Sequence, residues 1–187
     1  MNLGTLGALF VLTLYLQSVL RYSPLTAGLA VIPLFAPLAI VAPLAGRLTS
    51  RIGPRLPIAG GLVVAGTGLA LLAAAGAHSG YLVLLPAFLL WGVGLGILTP
   101  AVVAAAVAAV PGDRAGLASA INNTARQAGG AIGIAIAGAV AGQPGNQHRF
   151  LSGFHAVVLV AALLYLLAAV AGVMLVPGEL LARWRQP

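Results

Sequence analysis

An all-α bundle crossing a lipid bilayer is the fold class this chain predicts, and three features predict it. Of its 187 residues, 61% are hydrophobic and only 6% are charged, where a soluble domain carries roughly 25% charged residues. Its mean hydropathy is +1.10. Its apolar residues are collected into six runs near the roughly 20 residues that a helix needs to cross the hydrocarbon layer. These runs are too long and too smooth for outer-membrane strands, which alternate over roughly ten residues.

The first run covers residues 3–20. Met1 opens directly onto apolar sequence, with no basic stretch before it and no clear small-residue cleavage site after it. The run is therefore expected to stay as a helix rather than be removed as a secretory leader. Tyr15 and Gln17 are its polar members; an amide in such a setting either bonds a neighbouring helix or faces a water-filled cavity. A short turn follows, in which Ser23 can cap and Pro24 can take the first position of the next helix. That second helix is expected over residues 25–46. It contains Pro33, Pro37 and Pro43, each of which removes a backbone donor, so bends are expected where protein or water can satisfy the freed carbonyls.

Residues 46–55 read Gly-Arg-Leu-Thr-Ser-Arg-Ile-Gly-Pro-Arg, a loop whose three arginines, Arg47, Arg51 and Arg55, place it on the cytoplasmic side. The third helix, residues 56–77, ends in the turn Ala77-His78-Ser79-Gly80. The fourth, residues 81–110, carries Pro86, the row Gly92, Gly94 and Gly96, and a break expected at Thr99-Pro100. Its length exceeds one perpendicular span, so it tilts or continues past the membrane. A turn holding Asp113 and Arg114 leads to the fifth helix, residues 117–142. Residues 143–153 form the longest polar connection, and the last helix covers residues 154–176, before a tail with Arg183, Trp184 and Arg185.

The fifth helix holds the most informative pattern. Ser119, Asn122, Arg126, Gly130, Gly133 and Ala137 recur at steps of three or four and so share one face, polar at its start and small afterwards. An arginine at the centre of a membrane helix costs roughly 2.5 to 3.5 kcal/mol on insertion scales, so Arg126 is expected to turn towards protein, water or an interface. Gly129 with Gly133, and Gly138 with Gly142, are spaced to let a neighbouring backbone come close. One reading is a helix that packs tightly at one end and lines a solute path or gate at the other. The plainer one is an arginine snorkelling to the interface beside glycines used only for packing.

Loop arginines fall as Arg47, Arg51, Arg55, Arg114, Arg183 and Arg185 on one side against Arg21 and Arg149 on the other, which puts both chain ends in the cytoplasm. Six spans require the same. The net charge of +7, with nine arginines against Asp113 and Glu179, reads as orientation signals and not as a nucleic-acid surface. With no cysteine, and with His78, His148 and His155 far apart, no metal or other cofactor is implied. Gly92-Val-Gly94-Leu-Gly96 lacks the strand and spacing of a dinucleotide loop. No nucleophile, base and acid can be assembled, so no enzyme is expected.

Three stretches, in this order, carry a family resemblance: Leu14-Tyr15-Leu16-Gln17 followed by residues 22–28; the loop of residues 46–55; and Arg114-Ala115-Gly116-Leu117-Ala118-Ser119 continuing through residues 123–130. On these the chain resembles the C-terminal half of a major facilitator superfamily transporter, in particular the fourteen-helix branch of drug:proton antiporters. In the loop, Gly46, Arg47, Arg51, Gly53 and Arg55 are similar to the family's cytoplasmic motif, but Ser50 stands where the motif has an acid. The resemblance implies one bundle over residues 1–187, made of two inverted three-helix repeats, residues 3–77 and 81–176. It implies efflux of small amphipathic solutes across the plasma or inner membrane, with an N-terminal half, missing or separate, supplying the coupling acids.

Tyr15, Gln17, Phe88, Trp91, Asn122 and Asn123 are the expected cavity-lining residues, since aromatics with a few amides hold varied apolar solutes by burial. The competing reading of Phe88 and Trp91 is packing against lipid or at the interface. Arg126, Gly129, Gly130 and Gly133 are the expected gating and packing positions. The alternative function is a nontransporting scaffold, sensor or inactive remnant, which the lack of an intramembrane acid favours.

Overall fold

The computed structural model describes residues 1–175; Glu179 and the arginines of the tail lie outside them. Seven α-helices are present among these residues: α1 (Asn2–Ser18), α2 (Pro24–Ala30), α3 (Ile32–Ile52), α4 (Arg55–Leu71), α5 (Tyr81–Ala108), α6 (Ala115–Ala141) and α7 (Gln147–Leu175). Because α2 and α3 form one broken rod, the architecture is six rods. Four are long and apolar enough to cross a membrane: Pro24–Ile52, Arg55–Ala74, Tyr81–Ala108 and Gln147–Leu175. The other two are α1, with 17 residues, and α6, whose first half carries Asn122, Asn123, Thr124, Arg126 and Gln127.

Several boundaries move from where the sequence puts them, each for a local reason. The second rod does not end at Gly46 but runs to Ile52, so Gly46, Arg47 and Arg51 are helical and the expected loop shrinks to a turn at Gly53, which sits at φ 84°. Thr49 and Ser50 satisfy helix carbonyls from within, donating to Ala45 O and Arg47 O at 2.7 Å each. The last rod starts at Gln147 and not at Phe154, because Asn146 Oδ1 accepts from Arg149 N at 3.1 Å and supplies an N-cap. Helix α5 passes through Thr99 and Pro100 unbroken. Gly142 ends α6 at φ 69°, a positive φ that glycine tolerates, and with nothing within 4 Å of an added Cβ it makes no packing pair with Gly138, which faces Phe10.

The proline break that does occur is at Val31. Pro33 has no N–H, and the Leu34 N–H turns to Val31 O at 3.0 Å instead of reaching Ala30. Ala30 O is thereby freed inside an apolar layer, where an unmatched carbonyl is costly. The Tyr81 hydroxyl, at the start of α5, donates to it at 2.8 Å. Pro37 and Pro43 sit within α3 without interrupting it.

Glycine sets how the rods meet. A Cβ on Gly92 would collide with Leu34 O, and one on Gly96 would lie 2.9 Å from Val41 Cβ, so α5 lies backbone to backbone along α3. On its next face, a Cβ on Gly68 of α4 would lie 2.5 Å from Trp91 N. The glycine row of α5 is therefore a two-sided seam. Matching residue numbers along each pair gives directions: α3 runs parallel to α5 and α1 parallel to α6, while α4 is antiparallel to α5 and α7, and α7 to α1. Arg47, Arg51, Arg55 and Arg114 thus gather at one end of the bundle, and Arg21 and Arg149 at the other.

Tyr81→Phe removes the one side chain that serves the freed Ala30 carbonyl. It should cost about 1–3 kcal/mol, read as a lower thermal midpoint in detergent. Thr67→Val, which removes only an exposed hydroxyl bonded to its own Val63 carbonyl, should leave the midpoint within error.

Candidate functional site

The contact between α1 and α6 builds the site. A Cβ on Gly133 would overlap Leu3 O, and one on Gly7 would sit 2.7 Å from Gly133 O, so these two parallel helices touch through their backbones. Close approach at Gly133 brings the start of α1 beside the polar stretch of α6. There Arg126 Nε donates to Asn2 Oδ1 at 3.5 Å, the outer limit of a useful bond. Around this pair lies a pocket of about 230 Å³, walled by Met1, by Asn2 and Leu3 of α1, Val102 of α5, and Asn122, Ala125, Arg126 and Gly129 of α6.

Arg126 lies 11 residues into α6, about 16 Å along its axis. The only acid among the described residues, Asp113, is exposed in the 3-10 turn Gly112–Arg114 before that helix, and no carboxylate pairs with the guanidinium among those residues. Gly130 is buried against Leu6 of α1, whereas Gly129 is open, its nearest neighbour for an added Cβ being Leu3 N at 3.7 Å.

The six residues expected to line a cavity are not brought together. Tyr15, Phe88 and Trp91 have no exposed surface and belong to the interior of the six rods. The reason is geometric: the inward faces of α1 and α5 are the ones that meet neighbours, and large rings fill that interior. Tyr15 stacks on Phe154 with centroids 4.9 Å apart and donates its hydroxyl to Gly76 O at 2.8 Å. Trp91 Nε1 is buried with no hydrogen-bond partner among the described residues. Gln17 is half-buried near the far end of α1, Asn123 is exposed, and of the six only Asn122 reaches the pocket beside Arg126.

The loop motif forms a second cavity, also of about 230 Å³, where Gly46, Thr49, Ser50, Gly53 and Pro54 face Pro100 and Ala104 of α5. Ser50, at the position where an acid was expected, is turned back onto its own helix. Arg47 and Arg51 are exposed and Arg55 is partly so.

Sequence reasoning missed Asn2, which became visible only once α1 and α6 were known to run parallel. It placed the turn after α4 but missed its partners: His155 Nε2–H donates to Ala75 O and Ser79 Oγ accepts from Gly76 N, both at 2.7 Å. The paired backbone demands of that turn were readable in principle; which side chains meet them was not.

The family profile described as Major Facilitator Superfamily matches residues 1–187. Among curated proteins, the chain is similar to the multidrug resistance protein Stp of Mycobacterium tuberculosis, 40% identical over 134 residues that make up 72% of this chain and 25% of that protein. It is similar to the puromycin resistance protein pur8 of Streptomyces alboniger, 40% identical over 139 residues, 72% of this chain and 28% of the relative. The tetracenomycin C resistance and export protein of Streptomyces glaucescens is 32% identical, over 74% of this chain and 26% of its own length. The matched part of the chain spans about a quarter of the length of these relatives.

Two neighbouring glycines separate packing from mere flexibility. Gly133→Ala should destabilise the detergent-solubilised chain by about 1–3 kcal/mol, because the backbones must part. Gly129→Ala should be neutral or gain up to about 1 kcal/mol from helix propensity, both measured by thermal unfolding.

Proposed function

The chain belongs to the major facilitator superfamily, and we propose that it is the C-terminal six-helix bundle of a fourteen-helix drug:proton antiporter that exports small amphipathic compounds. All six rods cross the membrane in this reading, with α1 and α6 admitted because their neighbours, and not lipid, meet their polar and small faces. One observation supports it most. The parallel pair α3–α5 and the parallel pair α1–α6 are both seamed by glycine at Gly92 and Gly133, and exchanging α1 with α5, α3 with α6, and α4 with α7 turns each pair into the other with its direction reversed. Two inverted three-helix repeats would produce that exchange, and so it supports the reading.

The end carrying Arg47, Arg51, Arg55 and Arg114 is cytoplasmic by its charge, with the N-terminus and the tail beyond α7 on that side. A second bundle, from the part of the transporter that this chain does not span, closes the solute path and supplies the coupling acids. Gln17, Asn122 and Asn123 contribute polar contacts, while Tyr15, Phe88 and Trp91 stiffen the bundle that rocks. Arg126, Gly130 and Gly133 hold α6 to α1 during that motion. The location of Asp113, the sole described acid, outside the helices favours one alternative: a bundle kept as a scaffold or sensor without transport.

Accumulation of puromycin in bacteria lacking their own exporters decides between the two. Cells producing the complete transporter should hold less puromycin, a protonophore should restore the level, and deletion of residues 1–187 should abolish the difference. Unchanged accumulation of puromycin and of tetracenomycin C would favour the scaffold. The absence of cysteine also makes topology simple to read: Ser50→Cys should react with an impermeant maleimide only from the cytoplasm, and Gln143→Cys only from outside.

A further inference from the structure

A guanidinium offers five N–H donors, and among the described residues one of those of Arg126 is engaged, through the long contact with Asn2. The side chain lies well inside α6 and is half-buried. An intramembrane cation is expensive unless it is paired or faces water, and an anion held in the same cavity is one such pairing, by charge-assisted hydrogen bonds. The pocket's walls say what kind. Asn122 stands one turn before Arg126 on the same helix face, adding an amide N–H donor, and Asn2 adds a second amide from α1. The remaining surface is Met1 together with the apolar side chains of Leu3, Val102 and Ala125. At about 230 Å³ the space exceeds what a lone carboxylate needs and suits one attached to a compact apolar body.

We infer that the pocket between α1, α5 and α6 binds the carboxylate of a small organic acid through Arg126, with Asn122 and Asn2 donating beside it. The two Nη groups of Arg126 take the carboxylate oxygens as a fork, and the ring or chain of the acid lies against Leu3 and Val102. The passage of such a solute through the bilayer rests on the transporter reading above, but its binding does not.

The test needs no transport. The chain is placed in phosphatidylcholine nanodiscs and treated with phenylglyoxal, and modification of each arginine is followed by peptide mass spectrometry, with exposed Arg21 and Arg149 as internal references. Benzoate at several times its dissociation constant should slow modification of Arg126 about fivefold by occupancy, with benzamide and the reference arginines showing no such effect. Asn122→Ala should weaken the protection while leaving Arg126 reactive. Equal rates with and without benzoate, or equal protection by benzoate and benzamide, would overturn the assignment. So would protection by added phosphatidylglycerol that benzoate does not increase, since a lipid phosphate would then be the occupant. None of these readings changes if the complete protein proves not to export drugs.

Discussion

Backbone contact through glycine is the constraint on which this bundle depends. Between helices in lipid there is little hydrophobic gain, since a leucine is as well solvated by acyl chains as by another leucine; what remains is dispersion and close fit. Gly92 against the Leu34 carbonyl and Gly133 against the Leu3 carbonyl give that fit twice, in the two pairs whose directions agree. Parallel neighbours have no dipole attraction to help them. The large apolar residues left outside, such as Leu25 at 74% and Leu82 at 78% exposure, suit acyl chains as neighbours and hold no rods together.

A second layer of order comes from backbone groups that the helices leave unpaired. Tyr81 serves Ala30 at the proline break, and Tyr15 and His155 serve Gly76 and Ala75 in the turn after α4. In each case the hydroxyl or imidazole comes from a rod distant in sequence, so a local need is met by a tertiary contact. Tyrosine suits this task because its ring fills space in the apolar layer while its tip answers one carbonyl. These bonds join α5 to the broken rod and join α1 and α7 to the turn between the two halves of the chain.

The rods themselves were legible in the sequence because long apolar runs punctuated by Pro, Gly and Arg leave few alternatives. Their ends were less so: Asn146 capping α7 and the helical course of residues 46–52 depend on single hydrogen bonds that hydropathy does not register. The shared face of Asn122, Arg126, Gly130 and Gly133 was readable from spacing alone, and the structure sets that face against α1. The inward placement of Tyr15, Phe88 and Trp91 was not, since periodicity within one helix cannot say which of its sides meets a neighbour and which meets open space. Only the arrangement of all six rods decides that.

The main partners of α1 are α6 and α7, which are made after the other rods of this bundle. Until they arrive, its Gly4, Gly7 and Ala8 strip lacks these mates while the three other rods of the bundle insert and seam together. A ribosome that stalls before residue 133 releases α1 as an orphan with its sticky strip bare, available to membrane quality control or to another unfinished copy. Closure of this bundle thus waits on the late arrival of α6 against α1.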